Sequence, residues 1–175
     1  MKIIVLKFGG TSVGSIDRIK RVAKIIKSYS KKYKVIVLSS AMSGTTNKLI
    51  NMSRKISKSF PDHEYDTLVS AGEQISCSLI AGKLIDKGYE SRSWMAWQIP
   101  ILTIGKHKFS RIIQIHKSRI LKYLKIGGTP IIAGFQGINS KNRITTIGRG
   151  GTDASAIMLA KFFKAEKCII FTDVE

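Results

Sequence analysis

Ile3, Ile4, Val5, Leu6, Lys7, Phe8, Gly9, Gly10, Thr11, Ser12, Val13 and Gly14 open the chain with an apolar run that ends in a lysine and a glycine pair. The run lacks in/out alternation, which suits a strand buried on both faces of a parallel sheet. Three further runs read the same way: Val35 to Leu38, Pro130 to Ala133 and Cys168 to Phe171. Between them the sequence takes a helical period. Ile16, Ile19, Ala23 and Ile26 share one face, and Leu68, Ile75, Leu79 and Leu84 mark a second helix. Ile113, Ile120, Leu121 and Leu124 mark a third, and Ala156, Ile157, Ala160 and Phe163 a fourth. Strands alternating with helices predict an α/β fold of three layers, αβα, around a mainly parallel central sheet. Residues 90–108, with Trp94, Trp97 and Pro100, break the pattern and read as short extra strands or a loop packed on the main sheet.

At 175 residues and 43% hydrophobic content, the chain can bury a core as one domain, 1–175. Its 30 Lys and Arg against 11 Asp and Glu give a formal charge of +19. The basic residues are spread through every predicted helix, which argues against a disordered basic arm. Such a charge favours an anionic partner, whether nucleic acid, an acidic membrane surface or a phosphorylated small molecule, and cannot choose among them. Cys77 and Cys168 lie far apart inside apolar segments, so two buried thiols in a reducing cytosol are expected. No apolar stretch approaches the roughly 18 residues of a membrane helix, and the N-terminal run is too short for a signal-peptide core. A cytoplasmic protein without a membrane partner is the expectation.

In open α/β sheets, ligands bind where strand carboxyl ends meet helix N-termini. The segments following the four apolar runs are small and glycine-rich: 7–14, 39–47, 134–137 with 148–153, and Thr172 with Asp173. Backbone amides in such loops approach an anion closely; for any single loop, a tight turn explains the glycines equally well. Neither GxxxxGK[ST] nor a GxGxxG after the first strand is present, which weakens a P-loop NTPase and a dinucleotide-binding dehydrogenase. Lys7 is placed like a cation for β- and γ-phosphates, and Arg149 like a fork for a carboxylate. Asp153 is placed to orient Lys7 or to help hold a metal. Glu73 reads as a helix first-turn charge or as a binder of a substrate ammonium group.

KFGGTSVG at 7–14, SAMSGTTN at 40–47, SAGEQIS at 70–76, GFQG at 134–137, TTIGRGGTD at 145–153 and the TDV element from 172 together resemble the aspartate kinases of the amino-acid kinase family. The resemblance implies ATP-dependent phosphorylation of the β-carboxylate of L-aspartate to 4-phospho-L-aspartate, the first step towards lysine, diaminopimelate, threonine and methionine. It implies that Lys7 stabilises the transferring phosphoryl group while Asp153 positions Lys7. Phe8, Gly9, Gly10, Ser40, Thr172 and Asp173 would belong to the nucleotide side, Gly9 and Gly10 as backbone donors. Thr46, Glu73, Arg149, Gly150, Gly151 and Thr152 would surround the aspartate, Glu73 taking its ammonium and Arg149 its α-carboxylate. Thr152 stands where serine is common in the family and keeps the hydroxyl.

A carboxylate nucleophile is already ionised at neutral pH, so alignment and charge neutralisation suffice without a general base. None of the histidines falls inside a motif: His116 reads as a boundary residue of a helix, His63 and His107 as loop residues. The expected metal is Mg²⁺ arriving with ATP, with no protein metal site. The family continues past the position of Glu175 with the rest of the ATP site and with ACT regulatory domains. The sequence therefore reads as the incomplete N-terminal part of a catalytic domain, lacking feedback control. Its uncovered edge near Phe171 favours association, a homo-oligomer included. Two other readings remain: a fragment that keeps the aspartate half-site without catalysis, and a basic nucleic-acid module, for which no recognition signature appears.

Overall fold

A computed structural model describes residues 2–148 and 150–172. Five parallel strands form the central sheet in the order β3-β6-β2-β1-β9. They are β1 (Ile3–Phe8), β2 (Lys34–Ser39), β3 (Ser91–Trp94), β6 (Thr129–Ala133) and β9 (Lys167–Phe171). A second sheet, β5-β4-β7-β8, comprises β4 (Ile101–Ile104), β5 (Arg111–Ile115), β7 (Gln136–Ile138) and β8 (Ile144–Thr146). The helices are α1 (Ile16–Ser30), α2 (Thr45–Ile56), α3 (Asp62–Ile85), α4 (Ser118–Lys125) and α5 (Gly151–Phe163).

The continuous apolar strands feed two cores. Ile4, Leu6 and Phe8 of β1 pack with Ile19, Val22 and Ile26 of α1 and with Cys77, Ile80 and Leu84 of α3. Ile3 and Val5 face the opposite way, onto Ile120 and Leu124 of α4 and Ala156, Leu159 and Phe163 of α5. Period two therefore makes the three layers, as the sequence predicts. Each fully buried aliphatic side chain contributes roughly 2 kcal/mol. Lys7 has the parity of Ile3 and Val5, so the strand directs it to the α5 side of the sheet. Ser15 caps α1 by accepting from Arg18 N at 3.3 Å, with Asp17 in the first turn and Lys27 in the last, each favourable to the helix dipole.

Several local expectations are corrected. Ile113 lies on β5 and is exposed; its seven-residue spacing to Ile120 mimics a helix, but the β-branched pair Ile112 and Ile113 belongs to an irregular antiparallel strand. On α3 Ile75 and Leu79 are exposed, while the buried face carries Asp66, Ser70, Glu73 and Ser76 beside Cys77, Ile80 and Leu84. That face meets polar loops at one end and the core at the other, which inverts the simple apolar pattern. Ile16 and Ile157 are likewise exposed. Part of the 90–108 segment, β3, extends the central sheet beside β6, anchored by buried Trp94 stacked edge-on to Tyr123 at 5.7 Å. His116 is exposed ahead of α4, and His63 sits in the first turn of α3. Cys168 is half-buried and only Cys77 is fully buried; burial pushes the Cys77 thiol far up.

Candidate active site

At the carboxyl edge of the central sheet, a cavity of about 390 Å³ opens between the loop after β1, the loop after β2 and the start of α5. Three features shape it. Gly44 and Gly150 precede α2 and α5 with φ of 81° and 73°, a left-handed turn that costs glycine nothing. Among the described residues neither helix start carries a side-chain cap, and residues of both first turns line the cavity. Two helix N-termini thus present backbone N–H groups and positive dipole ends to one space, a physical anion site.

The second feature is the close approach of α3. A Cβ on Gly72 would lie 2.8 Å from the Ala41 Cβ, so only glycine lets the helix press against the loop after β2. The next residue, Glu73, consequently reaches Ala41 N, which donates to its Oε1 at 3.0 Å. Ser76 Oγ locks the same contact one turn on by donating to Ser40 O at 2.7 Å. Glu73 is only 3% exposed, and its Oε2 has no hydrogen-bond partner among the described residues. Burial pushes its carboxyl up to about 8, against the opposing pull of the Ala41 amide. A buried, unpartnered carboxyl oxygen on a residue that lines a cavity is the complement of a cationic group.

The third feature is the ion pair expected from the placement of Asp153 at a helix start: Lys7 Nζ lies 2.7 Å from Asp153 Oδ1. Lys7 is 7% exposed, whereas the Asp153 side chain is half-exposed. The contact is ionic more than directional, since no well-aligned hydrogen bond reaches Asp153 Oδ1 among the described residues. Phe135, which also lines the cavity, holds φ at 65°, a conformation that costs a non-glycine residue energy and is found at functional sites.

The structure brings together Lys7, Gly10, Ser40, Thr46, Glu73, Gly150, Gly151, Thr152 and Asp153 around this cavity. It keeps three others off the wall. Phe8 is fully buried, stacked on Phe171 at 4.8 Å, and offers the site only backbone. Gly9 sits behind Lys7 with its N–H donating to Phe171 O at 2.9 Å, so that donor is not directed at a phosphate. Thr172 lies beside Thr11, whose hydroxyl donates to its carbonyl. Arg149 and Asp173 lie outside the described residues. No group of three or more His, Cys, Asp or Glu side chains converges among the described residues.

Sequence reasoning missed Asp66, which is fully buried and accepts from Thr146 Oγ1 at 2.6 Å. Its spacing, two helical turns before Glu73, was the available signal. Gln136, quoted from the sequence within GFQG without a role, donates from Nε2 to Ser70 O at 3.2 Å and braces α3 against β7.

A parallel α/β sheet whose carboxyl edge holds a cavity lined by two open helix starts and a buried lysine has the physical makings of an anion site. The chain belongs to the amino acid kinase family, whose sequence profile it matches over residues 2–175. Among its relatives, it is 45% identical to the aspartokinase of Rickettsia conorii, covering 100% of this chain and 45% of that protein. It is 48% identical to the aspartokinase of Geobacillus stearothermophilus, covering 99% of this chain and 43% of that protein. The structure superimposes on E. coli aspartokinase III in complex with aspartate and ADP with a TM-score of 0.88 at 25% identity, covering 99% of this chain and 49% of that one. The chain therefore spans less than half the length of the relatives it matches.

Proposed function

We propose that the chain carries the amino-acid side of an aspartokinase catalytic site, at which ATP phosphorylates the β-carboxylate of L-aspartate. The observation that carries this reading is the vacant oxygen of buried Glu73 across one cavity from the Lys7–Asp153 pair. Glu73 takes the substrate ammonium; Thr46, Gly150, Gly151 and Thr152 border the substrate, and Arg149, by its motif position, takes the α-carboxylate. The β-carboxylate is ionised at neutral pH and attacks the γ-phosphorus directly, so no side chain has to remove a proton. The bond from γ-phosphorus to the bridging oxygen breaks, ADP leaves with that electron pair, and 4-phospho-L-aspartate results. Lys7, held by Asp153, balances the negative charge shared by the equatorial oxygens during transfer. Gly10, Ser40 and the open helix starts supply donors to the phosphates.

Mg²⁺ accompanies the triphosphate and neutralises part of its charge. Of the two acids that line the cavity among the described residues, half-exposed Asp153 fits an outer contact to such an ion, whereas buried Glu73 does not. Thr172 and Asp173 begin the nucleotide side. The names of the aspartokinase relatives support the substrate pair, and the two free thiols are consistent with a cytoplasmic setting.

The test is ADP release with L-aspartate and ATP, with the acyl phosphate trapped by hydroxylamine. Product that disappears in Lys7→Ala supports the reading. An aspartate-induced rise in melting temperature without ADP release favours an amino-acid half-site that does not turn over; neither signal would refute both.

A further inference from the structure

Asp66 is a buried carboxylate that the phosphoryl-transfer scheme does not use. Thr146 Oγ1 donates to its Oδ1 at 2.6 Å, Lys108 N lies 3.1 Å from both oxygens, and His107 Nδ1 lies 2.7 Å from Oδ2. These partners come from two other elements: His107 and Lys108 from the turn between β4 and β5, Thr146 from the end of β8. The elements are tied again around it. Ser110 N donates to Thr146 O at 3.1 Å, and Lys108 Nζ lies 4.3 Å above the Tyr65 ring on α3. Burying a carboxylate is costly unless every lone pair finds a donor. Three donor groups, the Lys108 N–H shared between both oxygens, go far to meet that demand, leaving the carboxylate a rigid junction of three elements.

Each side of the junction leads to the cavity. Along α3, two helical turns connect Asp66 to Glu73 on the same buried face. Along the other side, Thr146 is followed by Ile147, whose N–H donates to Phe135 O at 3.0 Å, and then by Gly148, which lines the cavity with Gly150 and Gly151. Two turns of helix on one arm and a short hydrogen-bonded strand end on the other link the Glu73 carboxyl to the glycines that line the same cavity.

We propose that Asp66 is a positioning residue: acting through Thr146, it holds Ile147, Gly148, Gly150 and Gly151 in register with Glu73 and so sets the affinity for the amino-acid substrate. The link to affinity rests on the aspartate reading of the cavity; the link to loop position does not.

Hydrogen exchange read by mass spectrometry, with calorimetric titration of L-aspartate, tests this on the wild-type chain and on Thr146→Val, Thr146→Ser and Asp66→Asn. Thr146→Val keeps the shape of the side chain and cuts only the strut. Its expected effects are about tenfold faster exchange in segment 147–154 and about tenfold weaker aspartate binding, the size of one hydrogen bond to a charged group. Exchange in α1 and β2 should not change, and the melting temperature should move by less than about 4 °C. Thr146→Ser, which retains the hydroxyl, should behave as wild type, and Asp66→Asn combined with Thr146→Val should weaken binding no further than Asp66→Asn alone. Unchanged exchange in 147–154 for Thr146→Val overturns the positioning role, whether or not aspartate binds; so does faster exchange spread evenly over the whole chain. A wild-type chain that ignores aspartate while Thr146→Val still loosens 147–154 overturns the aspartate reading and leaves the strut standing.

Discussion

Two rims of the same sheet edge differ in how finished they are. Around Glu73 and Lys7 the walls are closed: both side chains are buried, α3 presses on Ala41, and Ser76, Gln136 and Asp66 brace the wall from behind. Around Phe171 and Thr172 the structure is open. β9 is an edge strand paired only with β1 among the described strands, its residues are half-buried to exposed, and Ile170 is 40% exposed. Local packing preorganises the first rim, whereas among the described residues the second rests on the β1–β9 pairing. The asymmetry places most of the functional cost of mutation at the first rim.

Lys7→Ala should have the largest effect. Losing the cation that balances transition-state charge should lower phosphoryl transfer about a thousandfold, with aspartate still raising the melting temperature. A rate within threefold of wild type would remove Lys7 from the chemistry. Glu73→Gln comes next, weakening aspartate binding by about 10- to 100-fold, the scale of a charged hydrogen bond.

The same variant should alter pH dependence. Glu73 in the folded chain holds its proton up to about 8, well above its value of 4.5 when unfolded. Between these pH values the native state binds more protons than the unfolded one, so stability falls as pH rises from about 4.5 to 8. Thermal melts of Glu73→Gln should lack this part of the decline and should match or exceed wild type at pH 8. A decline identical to wild type would show that Glu73 does not titrate in this window.

Gly72→Ala should act through geometry. Its methyl would meet Ala41 Cβ at 2.8 Å, separating α3 from the loop after β2 at a cost of about 1–3 kcal/mol. Aspartate binding should weaken with it, as measured by denaturant melts alongside calorimetry. The smallest effect belongs to the open rim: Ile170→Thr on β9 should change stability by less than about 0.5 kcal/mol and leave aspartate binding as it was. A large loss there would mean the two rims are less different than their packing indicates.

The sequence made the main frame legible because the strands are short apolar runs with glycine loops at their ends, and because parity alone sends Lys7 towards α5. Most of the cavity wall was readable as motif residues, Lys7, Glu73 and Asp153 foremost. What escaped were positions where tertiary contacts override local pattern. The exposed Ile75 and Leu79 outweighed the polar buried face of α3 in any hydrophobic reading, and Ile113 fitted a helical spacing by accident. Asp66 drew no reading from the sequence because its donors come from Lys108, His107 and Thr146, some 40 to 80 residues away. Phe8 and Gly9 were assigned by motif, but the strand turns Phe8 into the core and spends the Gly9 N–H on β9.

The central claim is that Glu73 receives the ammonium group of aspartate, and proton release measures it directly. At pH 7 the empty site holds Glu73 largely protonated, and an incoming ammonium should ionise it. Titrating L-aspartate in buffers of different ionisation enthalpy should show close to one proton released per aspartate bound at pH 7, fading above pH 9 and absent in Glu73→Gln. Binding without proton release, or with equal affinity in Glu73→Gln, would contradict the account.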